Sequence, residues 1–119
     1  MIGELILRCF HARTNAHVLH LKSKSFAQHV ALNEFYDGII PLTDAVAEGY
    51  QGEHGLIDFT TPVRFALDAD AQHMVTALKE WIEKNRYEAV EAEDTFIHNE
   101  IDTLVLLCST TLYKLNNLK

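Results

Sequence analysis

Apolar residues recur at steps of three and four almost throughout the chain, and strict alternation is scarce, so the pattern predicts helices rather than strands. Leu5, Cys9, Ala12, Ala16 and Leu19 form a first stripe, with Ile6, Phe10, Arg13 and His17 running along its edge. The pattern stops near Lys22-Ser23, and the serine before Phe26 is a helix-starting residue. A second stripe, Leu32, Phe35, Ile39, Leu42, Val46 and Tyr50, predicts a helix to about Tyr50, ended by Gly52 and Gly55. Pro41 lies inside it and removes one hydrogen bond; because the periodicity continues past it, a bend is expected rather than a break. Thr61-Pro62 sets a capping residue before a proline at the first helical position, which predicts a short connecting helix. A longer helix follows from about Asp70 to Asn85 on Val75, Leu78 and Ile82. The last, from about Thr95 to Asn116, carries Ile97, Ile101, Leu104, Cys108, Leu112 and Leu115. The expected fold is all-α: a four-helix bundle forming one domain over residues 1–119, with the short connecting helix between helices two and three.

Composition narrows the function classes. A chain of 119 residues that is 48% hydrophobic and 23% charged is an ordinary globular domain. No apolar run approaches the ~20 residues of a membrane span. The start, "MIGELILRCF", lacks the basic segment of a signal peptide. Cys9 and Cys108 fall in helical stripes and read as buried free thiols, so a cytoplasmic setting is expected. The net charge of −7 argues against a phosphate-backbone binder, and neither terminus supplies a basic tail, so DNA is not an expected partner. An acidic surface suits self-association or the attraction of cations.

The candidate chemistry begins at "AHVLHLKSKSFAQHVALNEF", which holds three of the seven histidines. His17 lies before the expected turn and His29 after it, so an antiparallel hairpin lets them face each other. Two neutral imidazoles suit iron or zinc but need further ligands. Helix two offers Asp44 and Glu48, an i, i+4 pair on a face shared with Asn33 and Asp37. At 1.5 Å per residue, however, Asp44 lies about 22 Å from His29 and Glu48 about 28 Å. One chain therefore cannot close the site. Two copies packed helix two against helix two, antiparallel about a twofold axis, would bring the histidines of one to the carboxylates of the other.

His17, His29, Asp44 and Glu48 have the spacing His-x11-His-x14-Asp-x3-Glu, the last two within "DAVAEGY", of the form D-x-x-A-E. This resembles the ferroxidase signature of the Dps-like mini-ferritin branch of ferritin-like proteins, over residues 14 to 50. The resemblance implies a ferritin-like bundle that binds ferrous iron between subunits and oxidises it with peroxide or dioxygen. The family stores the mineral inside a hollow shell. Two departures stand out: Asn33 where the family commonly has an acidic residue, and Val18 where a tryptophan usually follows the first histidine. The chain is also short for the family, with an abbreviated middle connection, which leaves a twofold dimer or a larger homo-oligomer open. The alternative is a non-catalytic helical dimerisation or structural protein, and zinc as structural glue fits the same residues.

The remaining histidines read more blandly. His20 is expected as a surface neighbour of His17. Asp94, His98 and Asp102 share a face that is expected to be solvated. His11, His54 and His73 show no partner pattern. The acidic run Glu88, Glu91, Glu93 and Asp94 is expected in solvent.

Overall fold

The computed structural model describes residues 1–60 and 64–118. Four α-helices account for most of them: α1 (Ile2–Lys22), α2 (Phe26–His54), α3 (Ala71–Ala89) and α4 (Thr95–Asn117). There is no strand among the described residues, and no helix there is long and apolar enough to cross a membrane. The long axis of 44 Å is about the length of α2 alone at 1.5 Å per residue.

The expected stripes form the core. Leu5, Cys9, Ala12, Ala16 and Leu19 of α1 are buried, as are Leu32, Phe35, Ile39 and Val46 of α2. Val75, Leu78 and Ile82 of α3 meet Ile97, Ile101, Leu104 and Cys108 of α4 in the same cluster. Leu42, Tyr50, Leu112 and Leu115 are only partly covered and pack on its margin. Helix ends follow local chemistry. Ser25 caps α2 by accepting from the Gln28 amide at 3.2 Å, and Asp70 caps α3 by accepting from the His73 amide at 3.0 Å. α2 runs through Gly52 and stops at Gly55, whose φ of 90° lies in the left-handed region that glycine tolerates. It is continuous through Pro41, which sits on the exposed side, where water can satisfy the carbonyl that loses its partner.

Direction follows from the contacts. α1 packs on α2 and α3, and α4 on the same two, so the pairs α1–α4 and α2–α3 are the diagonals. Residues 23–25 and 90–94 make two tight antiparallel hairpins. Glu34 pairs with Lys114 at one end of the α2–α4 contact and His54 with Asp94 at the other, so these helices are antiparallel too. α2 and α3 consequently point the same way, and residues 55–70 must cross the length of the bundle.

That crossing is where the fold departs from expectation. Residues 64–70 are not helical; Thr61 and Pro62, which were to start a connecting helix, lie outside the described residues. The described parts of the crossover, residues 55–60 and 64–70, form a non-helical strap that touches α1 at Asp58, Ala66 and Asp68. Asn15, only 1% exposed, donates its amide to the Asp68 carbonyl at 2.9 Å and accepts from the Asp68 amide at 2.8 Å. One buried side chain thus supplies both partners that non-helical backbone lacks. At the other end of α1, a Cβ on Gly3 would sit 2.6 Å from the Asp58 carbonyl oxygen, so only glycine lets the strap pass so close.

Candidate functional site

The α1–α2 turn gathers the histidines, in an arrangement different from the expected one. His29 stacks on His20, with ring centroids 3.6 Å apart and planes 21° apart. His20 Nδ1–H donates to the His29 carbonyl at 2.8 Å, and His29 Nδ1–H donates to the His20 carbonyl at 2.9 Å. Because a carbonyl only accepts, both protons are placed on Nδ1, and in the neutral rings each Nε2 keeps its lone pair. His20 is 7% exposed, so it is no surface neighbour; it lies between the two histidines expected to face each other. His17 is half-buried, stacks on Tyr36 at 4.3 Å and meets His20 edge-on at 5.9 Å. Neither of its nitrogens has a hydrogen-bond partner among the described residues. Arg13 lies over the other region of this cluster, 5.6 Å from the Tyr36 centroid.

Asn33 does something specific where the resemblance expects an acid. Tyr36 Oη–H donates to its Oδ1 at 2.7 Å, and its Nδ2 donates to Asp37 Oδ2 at 2.9 Å. A neutral amide therefore holds a carboxylate beside the histidine cluster. Asp44 and Glu48 lie further along α2, both exposed, with no ion pair or hydrogen bond among the described residues. Fifteen residues separate His29 from Asp44, about 22 Å along the helix. Accordingly, no group of three or more His, Cys, Asp or Glu side chains among the described residues is placed to hold a metal ion. The described residues present two partial donor sets, histidines of α1 and α2 at their shared turn and carboxylates further along α2, and not a closed site.

The other histidines have partners that spacing did not reveal. His98 is 6% exposed, so it is buried rather than solvated, while Asp102 on the same face is exposed as expected: Arg86 Nε–H donates to His98 Nδ1 at 3.1 Å, and His98 Nε2–H donates to the Val90 carbonyl at 3.0 Å. Its neighbours on that face are tied as well, Asp102 to Arg86 at 2.8 Å and Asp94 to His54 at 2.7 Å. His11 bonds the Ala66 carbonyl at 2.9 Å, and His73 bonds the Asp68 carboxylate. Glu88, Glu91 and Glu93 are exposed as expected. Burial pushes both thiols up to about 12, over the opposing hydrogen bond of Thr43 at Cys9 and with the added proximity of Cys9 at Cys108. Both therefore favour the neutral thiol and lack the lowered pKa that marks a reactive cysteine.

Residues 20–115 match the model of a family described as "Family of unknown function (DUF5856)". The chain belongs to that family. The match takes in His20, His29, Asp44 and Glu48 and begins three residues after His17. No curated protein and no solved structure matches the chain.

Proposed function

We propose that this DUF5856 protein is a homodimeric, Dps-like bundle that binds ferrous iron at two sites completed across a twofold axis. Each site would combine His17 and His29 of one chain with Asp44 and Glu48 of the other. The observation that carries the reading is the division of donors along α2. Imidazole nitrogens without partners stand at one end of the helix, and two unpaired carboxylates stand on its exposed side about 22 to 28 Å away. An antiparallel pairing of two α2 helices brings unlike halves together twice. The single long crossover, with α2 and α3 parallel, is also the connectivity of ferritin-like bundles.

The donor set fits iron. Carboxylates favour the ferric ion and neutral imidazoles the ferrous ion, so a mixed site tolerates a change of oxidation state. The chain's part is orientation at His29: its Nδ1–H bond to the His20 carbonyl fixes the tautomer and leaves Nε2 with its lone pair, the usual support of a ligating histidine. A coordination position left open would admit peroxide or dioxygen as oxidant.

Sedimentation equilibrium with anaerobic ferrous titration, followed by addition of peroxide, tests this. A dimer with saturable binding and fast ferric absorbance is expected, lost in both His29→Ala and Asp44→Ala. Mixing the two unfolded variants and refolding them together should restore iron binding, because each heterodimer regains one intact site. A monomer under iron-binding conditions, or no restoration on mixing, would sink the proposal.

A second reading is favoured by one observation: His20 and His29 already satisfy each other, a structural task that needs no metal. In that case the outer face of α2 serves for dimerisation only, and the refolded mixtures bind neither iron nor zinc.

A further inference from the structure

A cleft of about 370 Å³ opens between α1, α3 and the crossover, within the ~300–1,000 Å³ typical of small-molecule sites. Ala12, Leu78, Phe65 and Trp81 line it with apolar surface, and Arg8 and Arg64 line it as well. The lining inverts the balance of the chain. Two basic residues line the cleft against one acidic, Asp68, whereas the whole chain has 10 basic residues and 17 acidic ones.

Most polar groups around it are already satisfied. Asn15 is matched to the Asp68 backbone, and His11 Nε2–H donates to the Ala66 carbonyl while its ring stacks on Phe65. The Asp68 carboxylate is held by His73 and by the Asp70 amide. Arg8 gives Nε and Nη2 to Glu4 at 2.8 Å and lies 4.6 Å from the Trp81 centroid, so its Nη1 group stays free to donate. Arg64 has no ion pair or hydrogen bond among the described residues. What remains unmatched in this cleft is a set of guanidinium donors beside an apolar lining. Guanidinium recognises carboxylate or phosphate through paired N–H bonds.

We propose that the cleft binds a small organic anion, a carboxylate or phosphate carried on a flat, ring-sized apolar body. The anionic head meets Arg64 and the free edge of Arg8, and the ring lies on Leu78 and Ala12 beside Phe65 and Trp81. This site is separate from the histidines of the α1–α2 turn and does not depend on iron.

Trp81 is the chain's single tryptophan, so its indole N–H gives one nuclear magnetic resonance cross-peak at the wall of the cleft. Isotope-labelled protein is titrated with naphthoate, naphthyl phosphate and the uncharged naphthalenemethanol. Arg64→Gln and Ala77→Phe are compared with the parent; both positions are exposed, and Ala77 lines the cleft, so each variant should keep the fold while losing charge or space. A saturable shift with either anion is expected, weaker by about tenfold or more for the alcohol and in Arg64→Gln, as for loss of one charge-assisted hydrogen bond. It should be absent in Ala77→Phe. The tighter anion identifies the head group. Shifts that never saturate, equal affinity for the alcohol, or unchanged binding in either variant would overturn the proposal.

Discussion

At the α1–α2 turn, His20 and His29 each commit one ring nitrogen to the other's backbone carbonyl and keep the second; at the α3–α4 turn, His98 commits both. Both turns are tight, and both are fastened by imidazoles on backbone carbonyls. Yet His98 Nδ1 accepts from Arg86 while Nε2–H donates to Val90, which leaves it no lone pair for a metal. Burial does not separate the two turns, since His20 and His98 are almost equally covered. The number of nitrogens without a partner separates them. A buried histidine with both nitrogens bonded is a fastener, whereas one held only through Nδ1 is also prepared as a ligand.

The largest effect should come from the saturated turn. His98→Ala strands the Val90 carbonyl and the Arg86 Nε–H in a buried place and removes the Tyr87 stack at 4.5 Å. A loss of about 2 to 4 kcal/mol is expected in urea unfolding. A loss under about 1 kcal/mol would mean that water replaces the ring and that the contrast between turns is only geometric.

The unsaturated turn should lose less per residue and show coupling. His20→Ala and His29→Ala each remove one hydrogen bond and the same stack, for about 1 to 2 kcal/mol apiece. Each leaves the other ring's bond in place, because that bond ends on backbone. The stack is therefore counted in both single variants, and the double variant should cost less than their sum by about 0.5 to 1.5 kcal/mol. Strict additivity would show that the rings act only through their separate bonds.

The same contrast explains what the sequence could show. Stripe positions such as Leu5, Cys9 and Ile101 were readable because periodicity reports distance from a core within one helix. Ser25 and Gly55 were readable because a cap is decided by a few adjacent residues. His20 and His98 were not, since their burial depends on carbonyls nine and eight residues away across a turn. The strap was missed for a related reason. Its path is held by Asn15 and Gly3 on α1, which meet Asp68 and Asp58, and nothing in the sequence around those two aspartates announces such partners. Of the candidate site, the donor types and their separation along α2 were legible, whereas the interposition of His20 was not.

His73 offers a third use of the ring and the smallest effect. It is exposed, and its Nδ1–H donates to the Asp68 carboxylate, which lifts His73 above its ordinary 6.5; the negative charges of Asp68, Asp70 and Glu80 add to this. The same bond, with that from the Asp70 amide, holds Asp68 below its ordinary 3.8. A histidine raised on folding stabilises most below its ordinary value and loses that contribution as pH rises through the raised one. A depressed carboxylate stabilises above its ordinary value and loses the contribution as pH falls through the lowered one. The pair should therefore help most between about pH 4 and pH 6.5. Thermal melts of His73→Gln should fall slightly below the parent near about pH 5.5 and approach it by about pH 8.5, with added salt narrowing the gap. The shift should stay small because water screens an exposed pair, and because a cation in the first turn of α3 opposes the positive end of the helix dipole. A gap that instead widened toward high pH would assign the bond to neutral His73, and this histidine would then resemble His98 in kind.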